Sequence, residues 1–263
     1  MKRAALALLL AFALGPFLWA VLASLRPEEE LFGGASFRLT AEHYAGLFEE
    51  REFWVPIRNS LVVAGTTTLF CVLVGALAAY ALARLEMRGR SAILGLILAV
   101  SMFPQIAIVS PLFLLLRSLG LIDTYPGLIL PYLTFAMPLT VWLLVGYFRQ
   151  IPPDLEEAAR VDGATRWQVF TRVVLPLAVP GLAATAILTF LYCWNEFLCA
   201  LSFTLGPERH TVPVAIALFR GQYQVPWGQV LAAAVVATAP VAILVLLFQR
   251  RIVQGLTAGA LKG

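Results

Sequence analysis

Residues 4–25, AALALLLAFALGPFLWAVLASL, carry no charged side chain, and Lys2 and Arg3 stand directly before them. A cleaved signal peptide also begins with basic residues, but its apolar region is about 7–15 residues long. This run is longer and ends without a clean A-x-A site, so it reads as an uncleaved helix long enough to span a bilayer. About 20 apolar residues cross about 30 Å of hydrocarbon at 1.5 Å per residue. The rest of the chain repeats the theme. Of 263 residues, 60% are hydrophobic and 13% charged, whereas soluble chains run about 45–50% apolar and about 25% charged. Mean hydropathy is +0.86. Such a composition excludes a soluble domain, disorder and a small disulfide scaffold.

Five further apolar blocks follow. The expected spans are 4–25, 60–83, 91–116, 126–148, 173–196 and 228–248, in a single transmembrane domain over 1–263. The fold class predicted is all-α, polytopic, with six transmembrane helices. Pro104 and Pro111 interrupt the third span. The polar connections are 26–58, the basic turn 84–90, 117–125, the loop 149–172 and a mixed stretch, 203–227; 249–263 is a tail. An even number of crossings puts both termini on one side. That side then holds Lys2, Arg3, Arg84, Arg88, Arg90, Arg149, Arg160, Arg166, Arg172, Arg250, Arg251 and Lys262, which is 12 of the 19 basic residues. Positive-inside makes it the cytoplasm.

The formal charge of +4 does not indicate a nucleic-acid partner, because the basic residues sit between apolar blocks instead of clustering on a polar face. Cys71, Cys193 and Cys199 lie in apolar stretches without a CxxC pair, so neither a disulfide framework nor a zinc site is implied. His43 and His210 belong to no metal-ligand cluster. The spans hold no paired carboxylates or Ser/His arrangement, so no catalytic residue is assigned.

The loop 149–172 has an internal grammar. Pro152 or Pro153 suits a first helical position, and Asp154, Glu156 and Glu157 favour a helix N-terminus. Gly163 ends that helix. Thr165-Arg-Trp-Gln168 fits a capping box that starts a second helix, which carries Trp167, Val169 and Phe170 towards the membrane. Two short helices joined at a glycine form an elbow along the membrane surface. On its own this could be a partnerless amphipathic interfacial helix.

The spacing says more. Glu157-Ala158-Ala159, three residues, Gly163, nine residues, then Val173-Val-Leu175-Pro176 resembles the EAA signature of ABC importer permeases, EAA-x3-G-x9-I-x-LP, with valine for isoleucine at 173. Trp194-Asn195-Glu196-Phe197 resembles the WNEF segment of the carbohydrate-importer branch. Gly255-Leu-Thr-Ala-Gly-Ala-Leu-Lys-Gly263 resembles the terminus of maltose-type second permease subunits, with Leu261 for valine. Arg26-Pro27 and Leu119–Thr124 are also similar to that family, so the resemblance covers nearly the whole chain. It implies a bacterial or archaeal inner-membrane permease paired with a homologous second permease subunit, a cytoplasmic ATPase dimer and an extracytoplasmic solute-binding protein. The ATPase-coupling residues implied are Glu157, Ala158, Ala159, Gly163, Leu175 and Pro176. In that family the tail reaches into the ATPase interface, here Gly255, Leu256, Thr257, Gly259 and Lys262, and the loop 204–227 probes the binding protein.

Within the spans, Glu196 is a candidate pathway residue with Asn195, and Gln105 and Tyr192 are further candidates. Glu196 could equally sit solvated or paired at the interface, and the other side chains could serve inter-helix hydrogen bonding. The Glu-rich first loop reads as a solvated face, with a binding-protein contact as the second reading. No GxxxxGK[ST] occurs, and Lys2 and Lys262 are the sole lysines, so ATP-Mg is expected on a partner chain and this chain binds no cofactor. The expected function is transport of a carbohydrate, with no enzyme activity. The alternatives are a permease for a non-sugar solute and an ion-driven secondary transporter, which would carry buried ionisable groups and internal repeats.

Overall fold

The computed structural model describes the backbone of residues 2–33, 38–219 and 225–260, and the side chains of 3–33, 38–219 and 225–249. Among the described residues the regular structure is helical, with no strand. The helices are α1 Lys2–Ser24, α2 Glu42–Glu49, α3 Trp54–Arg84, α4 Arg90–Ser101, α5 Gln105–Ser118 and α6 Tyr125–Gln150. There follow α7 Pro153–Val161, α8 Arg166–Val169, α9 Leu175–Trp194, α10 Leu198–Phe203, α11 Val212–Ala217 and α12 Trp227–Ala260. Five stretches are long and apolar enough to cross a membrane, and α4 with α5 brings the number to six if that bent pair is one span.

The expected interruption at Pro104 is found, and two span boundaries depart from the sequence expectation. The third span is broken: α4 and α5 meet at 87°. Pro104 is the N-cap of α5 with extended backbone, and proline pushes the residue before it out of helical geometry. Pro111, by contrast, sits inside α5 without ending it. The second span begins at Trp54, ahead of residue 60, and takes in Arg58 and Asn59. The last helix does not stop near residue 248 but continues through the expected tail to Ala260.

The centre of the bundle is α3 against α6, with α9 laid across both. Small residues permit the closeness. Gly181 of α9 sits so near α6 that a Cβ there would lie 2.5 Å from Tyr147 Cγ. Two apolar clusters fill the interior. One, with Phe53, Val63, Leu128, Tyr132, Trp194 and Phe203, lies towards the end of the bundle bearing α2, α10 and α11. The other, with Ala79, Leu82, Leu144, Phe148, Phe170 and Val174, lies under α7 and α8. The membrane stretch of α1 buries nothing and the helix packs chiefly on α12, so its leucines and phenylalanines face outward, as lipid contact requires.

Candidate coupling site at the α7 elbow

Helix α7 starts at Pro153, whose missing N–H would be unpaired in the first turn anyway. Asp154 and Glu156 stand in that first turn, where negative charge meets the positive end of the helix dipole. Gly163 ends it with φ +86°, a left-handed conformation natural to glycine. Its N–H donates to the Arg160 carbonyl at 3.1 Å, and that of Ala164 to the Ala159 carbonyl at 3.0 Å. The second helix is started by a complete capping box. Gln168 N–H donates to Thr165 Oγ1 at 3.3 Å and Thr165 N–H to Gln168 Oε1 at 2.8 Å.

From α8 the chain enters α9 through a π-helical turn, Phe170–Val174. Pro176 follows within the first turn of α9. A proline there can offer no N–H to the carbonyl four residues back, and a wider turn just before it removes the need for that bond. Of the three residues expected to be carried towards the membrane, Val169 and Phe170 are buried within the chain and Trp167 is exposed. Leu175 packs partly against the cluster beneath the elbow, and Pro176 is exposed.

The adjacent acidic residues of α7 point to different places. Glu157 and Ala158 are exposed, and Ala159 is half-buried against the lower cluster. Glu156 is buried. Its Oε1 lies 2.6 Å from Arg84 Nε at the end of α3, with the side chains 7% and 13% exposed. Tyr80 Oη donates to Glu156 Oε2 at 3.1 Å. Arg84 Nη2 also donates to the Ile151 carbonyl at the end of α6. An open cleft of about 750 Å³ runs beside this cluster, lined by Tyr80, Arg84, Glu86, Met87, Glu157 and Arg160 among others. Sequence reading singled out Glu157 and missed Glu156, Arg84 and Tyr80. Tyr80 and Arg84, four apart on α3, form one face, but nothing in the sequence says that this face meets α7.

The pathway candidates separate. Gln105 Nε2, at the start of α5, donates to Tyr192 Oη on α9, so these two are brought together at the bend of the broken span. Asn195 is exposed and its amide donates to its own helix, at the Leu191 carbonyl, 2.8 Å. Glu196 is buried, and both its oxygens accept backbone N–H groups of α10, from Cys199 at 2.9 Å and Ala200 at 3.1 Å. Its carboxylate caps a helix. Gly255, Leu256, Thr257 and Gly259 lie on the α12 backbone, whereas Lys262 lies outside the described residues.

At the opposite end, the loop after α1 grips the start of α12. Glu28 accepts the N–H groups of Trp227 at 2.8 Å and Gly228 at 2.9 Å. His43, held by the Arg26 carbonyl at 2.8 Å, packs on Gly228 so closely that a Cβ there would lie 2.2 Å from its ring. Arg51 Nε donates to Gln229 Oε1 at 2.6 Å. The Glu-rich loop therefore holds a structural contact that its composition did not announce. Nearby, Asn59 donates to the carbonyls of Glu208 and His210. Burial lowers the His210 pKa, against an opposing effect of Asp123. Among the described residues no group of three His, Cys, Asp or Glu side chains could hold a metal.

Residues 71–258 match the model of the binding-protein-dependent transport system inner membrane component family. The chain belongs to that family. The match takes in the whole elbow, from α7 to the π turn. Among relatives of this inner membrane component, the trehalose transport system permease protein SugB of Mycobacterium tuberculosis is 47% identical, over 97% of this chain and 95% of its own. The trehalose/maltose transport system permease protein MalG of Thermococcus litoralis is 44% identical, over 94% and 91%. A crystal structure of a bacterial ABC transporter involved in alginate import has a chain of the same fold, with a TM-score of 0.79 at 24% identity, covering 95% of this chain and 94% of that one. The inner membrane component is thus a multi-pass, all-α membrane protein.

Proposed function

We propose that this chain is one of two permease subunits of an ATP-driven importer for a carbohydrate. It lines half of a path whose access alternates as a separate ATPase closes and opens. The observation that carries this reading is the elbow. A short helix presents an exposed Glu157-Ala158 face to the outside of the bundle while its neighbour Glu156 is tied to the end of α3. A rigid, outward-facing handle is what a driving partner needs. The trehalose and maltose names of the two relatives make a glucose disaccharide the first solute to test.

In this reading the α7 end faces the cytoplasm, together with both termini, and meets an ATPase dimer that binds ATP-Mg. The chain contributes no catalytic group and binds no cofactor. The end of α12, with Gly255, Leu256, Thr257 and Gly259, enters the ATPase interface. The far end, with 204–219 and 225–227, receives the loaded solute-binding protein, and the second permease subunit closes the path. ATPase closure draws the two elbows together and opens the path outward; hydrolysis resets it. The rival ion-driven transporter is disfavoured by the capping role of Glu196, an acidic residue just past the end of α9.

The test is reconstitution. Purified with its co-encoded partners, the complex should import radiolabelled trehalose or maltose into proteoliposomes in the presence of ATP and the binding protein. Uptake by this chain alone under an ion gradient would overturn the proposal.

A further inference from the structure

The pair on either side of the residue 156–157 peptide bond divides the work of the elbow, and we propose that Arg84, Glu156 and Tyr80 form an inward latch that makes α7 and α3 move as one body. This rests on the importer reading above. Glu157 faces out; the Glu156 carboxylate faces in and is held at two points, while the Glu156 carbonyl accepts a bond from within α7. Arg84 Nε approaches Glu156 Oε1 at 2.6 Å, Tyr80 Oη donates to Glu156 Oε2 at 3.1 Å, and Arg160 Nε donates to the Glu156 carbonyl at 3.3 Å. Arg84 reaches further, to the Ile151 carbonyl. One guanidinium therefore joins α3, the end of α6 and α7.

The chemistry suits a joint. A buried ion pair gains little stability over an apolar pair of the same size, because desolvation cancels most of the attraction, but it fixes geometry strictly, since a displaced partner leaves an uncompensated charge. Beyond its contacts with α8 and the π turn, α7 meets the lower cluster through small residues, Ala159 on the helix and Ala164 just after it, and the cleft beside them is open. Without the latch, α7 could swing on Ile151 and the left-handed turn at Gly163 while keeping its exposed face for a partner. With it, force applied to that face reaches α3, which packs along α6 and α9. Arg84, Glu156 and Tyr80 are positioning residues in this account and touch no solute.

The test compares Glu156→Gln, Arg84→Lys and Tyr80→Phe in the assembled transporter. The latch predicts that the ATPase stays bound while ATP hydrolysed per solute imported rises. For Glu156→Gln the rise should be at least about five-fold, the low end of ordinary coupling between sites. Arg84→Lys, which keeps the charge but loses the fork, should fall between Glu156→Gln and wild type, and Tyr80→Phe should change least. Glu157→Gln should instead weaken ATPase retention. A second arm needs no transport: nitroxides at Met87→Cys and Asp154→Cys, both exposed positions, should give a narrow distance distribution that broadens with Glu156→Gln or Arg84→Lys. Yield losses at an unchanged ratio and distribution would mark a merely stabilising pair and overturn the latch. Should Glu156→Gln fail to assemble, the two milder variants decide by the same readouts. Failure of wild-type ATP-driven uptake would sink the importer reading, and the distance arm would still decide the latch.

Discussion

At Gly163 the backbone, and not the space within the chain, selects the residue. A Cβ there would meet no atom within 4 Å, but φ is +86°. The ranking of substitutions should therefore follow tolerance of left-handed backbone: Asn mildest, Ala next at about 1–2 kcal/mol of local strain, Val worst. ATP-driven uptake normalised to complex yield measures it, and equal losses for Asn and Val would point to a contact surface instead. Gly181 is the opposite case, chosen by space, with Tyr147 Cγ 2.5 Å from a would-be Cβ. Gly181→Ala should destabilise the bundle by about 1–3 kcal/mol, visible as a lower Tm in detergent. His210 supplies a pH signature. Burial lowers its pKa from the usual 6.5, so the unfolded chain holds more protons than the folded one as the pH falls through that value. Acidification from pH 7.5 to 5.5 should cost wild type more thermal stability than His210→Gln. Gly163 was legible from sequence because a glycine after a short helix has one cheap explanation. Glu156 was not: two neighbouring carboxylates differ only by about 100° around α7, and the side that counts is set by Arg84, delivered by a distant helix.

At the scale of elements, the sequence announces whatever follows from local chemistry. The capping box at Thr165 and the proline start of α7 were readable because their partners lie within a few residues. The interruption at Pro104 was readable from its proline, but the 87° bend there, the π turn before Pro176 and the continuation of α12 were not, because apolar stretches read alike whether straight, bent or widened. The most consequential omission was the grip of the first loop on α12. Three successive residues, Trp227, Gly228 and Gln229, are held by Glu28, His43 and Arg51. Glu28 supplies an acceptor and a negative charge to the orphan N–H groups of a helix start. Loss of a capping side chain costs about 0.5–2 kcal/mol, so Glu28→Gln should cost less than Glu28→Ala. Gly228→Ala should do more damage than either, since it evicts the His43 ring. Protease sensitivity of the loop 26–52 reports the release. If Gly228→Ala left it as resistant as wild type, the grip would not hold the loop.

Across the whole molecule, the two ends of the bundle carry different charge, and the fold sharpens what a count of residues suggested. Arg84, Arg88, Arg90, Arg149, Arg160, Arg166 and Arg172 gather with α7 at one end. At the other, Asp123 ties the α5–α6 connection to the strand-free loop after α10, where its backbone N–H donates to the Phe203 carbonyl at 2.9 Å and its Oδ1 accepts the Leu205 N–H at 3.0 Å. Translocation resists basic segments close to a span, which supports the proposal that the α7 end stays inside. The prediction can be read without any transport. Cys71, Cys193 and Cys199 are buried, so a cysteine placed at exposed Asp154 or exposed Glu208 dominates labelling by a membrane-impermeant maleimide. Right-side-out vesicles should label Glu208→Cys and spare Asp154→Cys, and inverted vesicles should do the reverse. An opposite pattern would put the elbow outside, where no ATP is available to drive it, and would dismantle the coupling mechanism together with the orientation.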